Sequence, residues 1–291
     1  VEVYKIKIKK NDKIYPKQLI NIPNPPQELY LNGDINLLNQ PIISIIGSRT
    51  CSQSGKKLAR KFANELSNQG IVIASGLAKG IDTEAHKGAI EINGKTIAVL
   101  GSGFKHIFPK ENIELYKNII EKGGLIISEY PPDTKADSNK FLERNRIVSG
   151  ISLGILVIEA AYRSGTSVTV RLAKEQGRKI FVIPHEIDNK YGIGTNKMLK
   201  NGATIITETK EIVEAFEFLK YNPKKIIKEK EKWDFKNKEN EEIYRIIKLG
   251  IKDINEISRW SNKAINELSI ILFEMEIDGY IKKNVGGYTC I

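Results

Sequence analysis

The sequence predicts an α/β protein in which a parallel sheet carries helices on both faces and a small second domain follows. Apolar segments of strand length alternate with helical patterns from residue 41 to residue 219. These segments are apolar without alternation, which is typical of strands buried on both faces of a sheet. The segment 220–236 holds seven lysines, breaks the pattern at Pro223 and predicts a charged linker.

Length and composition exclude several classes of protein. The 291 residues suffice for one large and one small domain, and 41% hydrophobic with 28% charged residues is typical of globular proteins. No apolar run approaches the ~18 residues of a membrane helix and no signal peptide is visible, so a cytoplasmic protein without membrane binding is expected. Cys51 and Cys290 lack metal-ligand spacing, and neither metal nor cofactor is expected.

The net charge of +11 is unevenly distributed. Residues 1–236 carry +12, whereas residues 237–291 carry −1. The excess of positive charge on the first part favours a polyanion, above all nucleic acid. A DNA-reading domain normally brings its own surplus of lysine and arginine, so the near-neutral second part indicates protein binding or an assisting role.

Each segment is assigned in order. Residues 1–40 predict an extended lead-in with a possible lysine-rich edge strand at its start, because three prolines from Pro23 to Pro26 exclude a helix. Residues 41–219 form the sheet domain. Its strands are predicted at 42–46, 71–74, 96–100, 125–128, 154–159, 179–183 and 204–207. Its helices are predicted at 55–68, 81–91, 112–121, 140–149, 167–176, 196–200 and 210–219. Three helices and a glycine-joined hairpin within residues 237–291 predict a winged helix.

The ends of the first two sheet strands carry glycine-rich turns that suit phosphate. Gly47, Ser48 and Arg49 follow the central strand, where small residues let the backbone approach an anion and Arg49 adds a planar charged group. The alternative is that Gly47 only makes the turn and Arg49 pairs with a carboxylate. The next strand leads into a second such turn, with Ser75, Gly76, Lys79 and Gly80. Asp82 is interpreted as a capping residue, and His86, one helical turn later, could bond to it.

Two later segments add charge, an aromatic ring and a further helix start. Lys140, Arg144 and Arg146 concentrate positive charge beside Phe141, the combination that single-stranded nucleic acid requires. The alternative is that Phe141 packs in the core with Ile147 and Val148. Ser164, Gly165 and Thr166 open another helix suited to phosphate. Glu159, which ends the preceding strand, could order this loop or act as a general acid or base.

Eight spaced motifs together carry a resemblance to a known family: GSR, SGLAKGIDTEAH, AVLGSG, SEYPP, FLERNR, VIEAAYRSGTS, GTN and NGA. Over about residues 15–219 the chain resembles the DNA-processing protein A (DprA/Smf) family. The resemblance implies an extended Rossmann-like fold, a homodimer formed through that domain and a C-terminal winged helix. It also implies binding of single-stranded DNA, delivery of the RecA recombinase onto it and protection of incoming DNA in natural transformation. No catalytic reaction is implied.

The resemblance also implies site residues. The phosphate-contacting loops fall on Gly47, Ser48 and Arg49 and on Ser75, Gly76, Lys79 and Gly80. The basic and aromatic element falls on Lys140, Phe141, Arg144, Asn145 and Arg146, and the loop of Ser164, Gly165 and Thr166 would share the groove. Pro184 and His185 stand where the family often has Pro-Gly, which affects the local turn.

Two hypotheses of different class follow. The first is a sequence-independent single-stranded DNA-binding protein that loads RecA, with Arg49, Lys79, Lys140 and Arg146 along one cationic trough. The second is a nucleotide-binding or nucleotide-hydrolysing enzyme, similar to phosphoribohydrolases, that uses the same crevice and Glu159. The second is less favoured, because RSGTSVTVRL has no glutamate at the start of the late helix.

Overall fold

The computed structural model describes residues 5–161, 164–216, 238–248, 251–284 and 286–290. The chain divides into two compact units, Val1–Phe216 and Glu217–Ile291. The predicted linker, 220–236, lies outside the described residues. No helix in the described ranges is both long enough and apolar enough to cross a membrane.

A nine-stranded sheet forms the first unit. Its strands are β1 (Lys5–Lys9), β2 (Glu28–Gly33), β3 (Ile42–Ile46), β4 (Val72–Ser75), β5 (Thr96–Leu100), β6 (Leu125–Ser128), β7 (Gly154–Val157), β8 (Lys179–Val182) and β9 (Thr204–Ile205). They lie in the order β1-β2-β6-β5-β4-β3-β7-β8-β9. The seven strands from β3 to β9 pair in parallel, and β2 pairs antiparallel with both β1 and β6.

The helices of this unit alternate with the strands along the chain. They are α1 (Lys17–Ile20), α2 (Gln53–Asn68), α3 (Ile81–Glu91), α4 (Ile113–Glu121), α5 (Ser138–Gly150), α6 (Gly165–Glu175), α7 (Ile193–Lys200) and α8 (Thr209–Glu214). Helix α2 packs against α3, and α5 packs against α6. The predicted helices recur in the structure with ends shifted by a few residues, as is usual for boundaries read from a sequence.

Both faces of the sheet are covered. On β5, Ile97 and Val99 belong to one buried apolar cluster, whereas Ala98 and Leu100 belong to another on the opposite face. All four side chains are 2% exposed or less. Because successive residues of a strand point to opposite faces, this burial explains why the sheet strands are apolar without alternation. The predicted α/β class with a mostly parallel sheet is confirmed.

The N-terminal residues join this sheet. The sequence interpretation of 1–40 as an extended lead-in overlooked β2, whose Leu29 and Leu31 are completely buried against the core. The pattern of alternating burial in β2 is short, and it follows the prolines at 23–26, which masked it. The prolines do end the helical structure, because α1 stops at Ile20.

The sheet reverses direction at its centre. From β3 the chain proceeds outward through β4, β5 and β6 on one side, and β7, β8 and β9 lie on the other side. Connections that leave two neighbouring parallel strands in opposite directions open a crevice beyond the carboxyl ends of those strands. In this protein the crevice lies where β3 ends at Ile46 and β7 ends at Val157.

The second unit contains three helices and a hairpin among its described residues. They are α9 (Lys238–Lys248), α10 (Ile254–Ser261), α11 (Ile265–Ile277) and the antiparallel pair β10 (Ile281–Asn284) and β11 (Gly287–Cys290). A separate apolar cluster, which includes Ile243, Ile257, Leu268 and Leu272, holds them together. This is the order of elements that the winged-helix prediction requires, and the winged helix itself remains a prediction.

Candidate functional site

A cleft of about 560 Å³ lies at the carboxyl ends of β3 and β4, beside the first turns of α5 and α6. It brings together ten of the fifteen residues predicted for the site: Gly47, Ser48, Arg49, Gly76, Phe141, Arg144, Asn145, Ser164, Gly165 and Thr166. A smaller cavity of about 190 Å³ shares Arg49, Gly76, Phe141 and Arg144 with the cleft and adds Lys79. The sheet thus gathers loops that lie far apart in the sequence.

Glu159 orders the loop that follows β3. Its carboxylate is 1% exposed, and it accepts hydrogen bonds from the backbone N–H of Ser52 at 2.9 Å and from the Ser52 hydroxyl at 2.5 Å. The same hydroxyl accepts from the Gly55 N–H at 2.9 Å and so caps the N-terminus of α2. Of the two roles left open for Glu159, ordering a loop is the one this geometry supports.

Two glycines allow the loop after β3 to pack against the turn after β4. A Cβ on Gly47 would lie 2.6–2.9 Å from the side chain of Ile81, the first residue of α3. Gly80 has a φ of +82°, and a Cβ there would lie 2.4 Å from the carbonyl oxygen of Ser48. Both positions therefore require glycine. Gly80 does not line the cleft; it allows the turn after β4 to pack directly against the loop after β3.

The turn after β4 is held by a buried pair of opposite charges. Asp82 accepts hydrogen bonds from the N–H groups of Gly76 at 3.1 Å and Ala78 at 3.4 Å. Arg144 donates from Nη1 to the carbonyl oxygens of Gly76, at 2.5 Å, and of Val99. Asp82 and Arg144 thus hold the two peptide groups that flank Gly76, and a Cβ on Gly76 would lie 2.6 Å from the guanidinium.

These hydrogen bonds give Arg144 a structural role in the wall of the cleft. The residue is only 4% exposed. Burial lowers the pKa of Arg144 to about 10, against the opposing effect of the Asp82 carboxylate, so the guanidinium stays charged at neutral pH. Burial likewise raises the pKa of Asp82, while Arg144 and the amide donors act in the other direction. The guanidinium of Arg144 therefore contributes positive charge to the cleft that it lines, while its hydrogen bonds are made to backbone carbonyl oxygens of the protein.

Arg49 is the exposed cation of the cleft. Its guanidinium carbon lies 5.4 Å from the centroid of the Phe141 ring, and that of Arg144 lies 6.0 Å from the same centroid. Within the described part of the chain Arg49 forms no ion pair, so the alternative in which it pairs with a carboxylate finds no support. The guanidinium is available to an anionic ligand and stacks against an aromatic ring.

Phe108 is a cleft residue that the sequence analysis missed. Its side chain is 49% exposed and lines both cavities, and its ring centroid lies 5.4 Å from that of Phe141 with an interplanar angle of 39°. The signal available in the sequence was its place in the loop that follows β5, the neighbour of β4. In the sequence analysis that loop enters only through the motif AVLGSG, which ends before Phe108. Phe108 and Phe141 together form an aromatic pair at the mouth of the cleft.

The start of α6 forms the opposite wall. Ser164, Gly165 and Thr166 line the cleft there with Thr169, one helical turn further on. The first N–H groups of a helix have no partner within the helix and point towards its N-terminal end, which favours an anion. The Ser164 hydroxyl is buried and has no hydrogen-bond partner among the described residues. A Cβ on Gly165 would meet no atom within 4 Å, so this wall is open.

The remaining predicted residues do not line the larger cleft. Ser75 is completely buried and donates to the carbonyl oxygen of Ile45 at 2.7 Å. Lys79 pairs with Glu111 at 2.5 Å in an exposed ion pair, which contributes little and is easily exchanged. Lys140 pairs with Asp137 and lies 5.9 Å from the ring centroid of Tyr130.

Arg146 is also engaged away from the cleft. Its two terminal nitrogens donate to the carboxylate of Glu129 at 2.8 and 2.5 Å, and its Nε donates to the carbonyl oxygen of Asn24 at 3.0 Å. Residues two apart on a helix point to different sides, which separates Arg146 from Arg144. The four cations expected along one trough are therefore split, with Arg49 and Lys79 at the cavities and Lys140 and Arg146 outside them.

The family of this chain follows from a comparison with known proteins. Residues 7–217 match the model of the family described as DNA recombination-mediator protein A. The chain belongs to the DNA recombination-mediator protein A family. This confirms the resemblance based on the eight motifs. The family comprises DNA-binding recombination mediators and not enzymes, so the chain is assigned as a recombination mediator.

Relatives of known name match most of the chain. Protein Smf of Escherichia coli is 35% identical over 287 residues, which cover 96% of this chain and 75% of that protein. DNA processing protein DprA of Streptococcus pneumoniae is 40% identical over 207 residues, which cover 71% of this chain and 73% of that protein. The first match extends over both units of the recombination-mediator chain, and the second corresponds in length to the sheet unit.

Two solved structures of family members share the fold. That of DNA processing protein A from Streptococcus pneumoniae has a TM-score of 0.69 at 37% identity and covers 73% of this chain and 74% of its own. That of DNA processing protein A from Helicobacter pylori, described for its single-stranded DNA binding mode, has a TM-score of 0.66 at 30% identity. It covers 74% of this chain and 96% of its own.

Proposed function

We propose that this recombination mediator binds single-stranded DNA, without sequence preference, in the cleft at the carboxyl ends of β3 and β4. The observation that carries the proposal is the juxtaposition of the exposed Arg49 guanidinium with the Phe108–Phe141 aromatic pair. A cation for the phosphates and rings for the bases are the two elements that general binding of single strands requires. Every base has a flat face, so stacking does not select a sequence.

The aromatic pair supports a single strand over a duplex. Its rings line the cleft and can stack on unpaired bases, whereas the faces of paired bases are already stacked on their neighbours. The solved structure from Helicobacter pylori concerns single-stranded DNA binding by that protein, and its fold matches the sheet unit. Both observations support the same ligand for this chain.

The enzymatic alternative is not favoured by the geometry. The Glu159 carboxylate, which a hydrolase mechanism would use, has both oxygens occupied by Ser52 and is almost completely buried. The described residues contain no group of histidine, cysteine, aspartate or glutamate that could hold a metal ion. Glu159 is thus a positioning residue for the loop that carries Arg49.

The proposal is tested by titrating labelled oligonucleotides with the full chain. Oligo(dT), a single strand of mixed sequence and the corresponding duplex should be compared at low and moderate salt. We expect both single strands to bind with similar affinity, to bind more tightly than the duplex, and to lose affinity steeply with salt. Absence of single-strand binding at low salt would overturn the proposal.

We further propose that the DNA-bound protein delivers the RecA recombinase onto the strand, as its membership of a family of recombination mediators suggests. The test measures how fast RecA assembles on single-stranded DNA coated with the full chain. Faster assembly with the wild-type chain than with Arg49→Ala is expected. Equal rates with and without the protein would contradict the delivery role but leave DNA binding intact.

The edge strand β9 supports a homodimer formed through the sheet unit. Thr204 and Ile205 are exposed, and the Ile205 side chain is 54% exposed on a strand that has a partner on one side only. An exposed apolar side chain at a sheet edge can pack against another chain, whereas the lysines of β1 protect the other edge. Ile205→Glu should lower the mass measured by sedimentation equilibrium, and Ile14→Glu, at another exposed isoleucine, should not.

A further inference from the structure

Helix α11 of the second unit is apolar on both of its faces. Its inner face, with Leu268, Leu272 and Met275, is completely buried in the core of that unit. Its outer face presents Ile270, Phe273 and Ile277, which are 63%, 63% and 68% exposed. Their spacing of three and four residues places them in one stripe. A stripe that takes no part in the core of its own unit is typical of an interaction surface.

Acidic side chains border this outer stripe. Glu267 and Glu274 lie along one side of it and Glu276 along the other, as their positions on the helix require. Glu267 and Glu274 are exposed, and residues 237–291 as a whole carry a charge of −1. Glu267 forms an ion pair with Lys263 at 2.9 Å, so Glu274 supplies most of the negative charge on its side of the stripe. A phosphate backbone would be repelled by these carboxylates, so the outer face of α11 is poorly suited to DNA.

A second copy of the chain is as poorly suited to the stripe as DNA is. If two α11 helices packed face to face around a two-fold axis, each acidic border would meet an acidic border of the other copy. Like charges facing each other across an interface disfavour that partner. The charge pattern instead complements a helix whose apolar stripe is bordered by lysine or arginine, in the manner of paired helices that choose partners by their flanking charges.

We propose that the outer stripe of α11, formed by Ile270, Phe273 and Ile277, is a docking surface for an amphipathic helix with basic borders on a partner protein. The aromatic Phe273 lies between the two isoleucines and is the expected anchor of the interface. The acidic borders set the orientation of the partner and exclude acidic helices. This surface is separate from the DNA cleft in the sequence and in its chemistry, and it would give the mediator a second, protein-binding function.

The test uses two designed helical peptides of about 18 residues, one with leucine and lysine and one with leucine and glutamate at matched positions. Binding of each labelled peptide to the full chain is measured by fluorescence anisotropy. We expect the lysine peptide to bind at least about tenfold more tightly, and Phe273→Ala to remove about tenfold of that affinity. Glu274→Lys should reduce the preference for the lysine peptide, and Ile187→Ala, which truncates a 94% exposed isoleucine in the first unit, should change nothing.

Four outcomes would overturn the proposal. Equal binding of the two peptides would show that the stripe does not select a helix with basic borders. Binding of the lysine peptide that Phe273→Ala leaves unchanged would show that the peptide does not bind at the stripe. A fall in the sedimentation mass of Phe273→Ala would assign the stripe to a second copy of the chain. A loss of single-stranded DNA affinity in Phe273→Ala would assign it to nucleic acid. Because the three stripe side chains lie outside the core, circular dichroism of the variants should match that of the wild type.

Discussion

The guanidinium of Arg49 lies 5.4 Å from the centroid of the Phe141 ring, although the two residues are separated by more than ninety positions in the chain. The parallel sheet brings them together because the loop after the central strand β3 and the helix α5 both line the cleft. The pairing combines a phosphate-binding charge with a base-stacking ring at one place. It also makes the two contributions separable by experiment.

Arg49→Ala should weaken single-stranded DNA binding and reduce its salt dependence. Loss of one phosphate contact lowers the slope of log affinity against log salt by about 0.7 for a single strand. Arg49→Lys should restore most of that slope, because the charge remains. The measurement is a salt series of oligonucleotide titrations, with Lys61→Ala as the control, since Lys61 is an exposed lysine on α2 that does not line the cleft. An unchanged slope in Arg49→Ala would show that Arg49 contacts no phosphate.

Phe108→Ala and Phe141→Leu should reduce affinity without changing the salt dependence. Each ring that stacks on a base is worth about 1–3 kcal/mol. An oligonucleotide without bases at the bound positions provides the control, because the variants and the wild type should bind it equally. Phe108 is the cleaner position, since its side chain is half exposed and its removal leaves the core intact. If Phe108→Ala binds the normal strand like the wild type, Phe108 takes no part in stacking.

The sequence was sufficient to predict the strands from β3 to β9, because they are apolar without alternation and helical patterns lie between them. It did not predict the order of these strands in the sheet, which depends on contacts between segments that are distant in the chain. It was also sufficient for the glycine turns at Gly47 and Gly76. It could not separate exposed from buried arginines. Arg144 and Arg146 lie two residues apart, yet the first is fixed to Gly76 and the second to Glu129, and both partners are distant in the sequence.

Phe108 and His86 also show that a local sequence pattern does not reveal contacts between distant elements. The loop that contains Phe108 has no periodic pattern, so nothing local indicates that its ring faces the cleft. The helical spacing would allow His86 to bond to Asp82, one turn before it on α3. Instead its Nδ1 lies 2.7 Å from the Thr96 hydroxyl, which itself donates to the carbonyl oxygen of Ile73. Helical spacing places side chains on one face but does not decide which neighbour from another element they meet.

His86 should make the protein sensitive to mild acid. The imidazole is completely buried, and its Nε2 has no hydrogen-bond partner among the described residues. Burial, with a further contribution from Arg144, lowers the pKa of His86 to about 3, well below the usual 6.5. Between these two values the unfolded chain binds the proton and the folded chain does not. The contribution of His86 to stability is therefore complete above pH 6.5 and is lost progressively as the pH falls towards 3.

Urea unfolding followed by circular dichroism at several pH values between 7 and about 4 tests this expectation. For the wild type the free energy of unfolding should fall with a slope of up to about 1.4 kcal/mol per pH unit from this one group. His86→Gln should start from a lower stability, because it disturbs a packed core, but should show a shallower dependence on pH. His106→Gln should retain the slope of the wild type. Parallel pH profiles for His86→Gln and the wild type would contradict the assignment.

Alanine substitutions at Gly55 and at Gly165 can be compared to test whether Glu159 orders the loop after β3. Both lie in the first turn of a helix, where replacing glycine with alanine ordinarily stabilises by about 0.5–1 kcal/mol. A Cβ on Gly55 would lie 2.4–2.6 Å from the atoms of the Glu159 carboxylate, whereas a Cβ on Gly165 would meet nothing within 4 Å. Gly165→Ala should therefore leave stability unchanged or slightly raised.

Gly55→Ala should have the opposite effect. Its methyl group must displace a buried carboxylate that holds both the N–H and the hydroxyl of Ser52, and overpacking of this kind costs about 1–3 kcal/mol. The displaced loop carries Arg49, so affinity for single-stranded DNA should fall together with stability. The midpoint of urea unfolding and the oligonucleotide titration are measured on both variants. Equal stability of Gly55→Ala and Gly165→Ala would mean that the carboxylate can move freely and that the loop is ordered by other contacts.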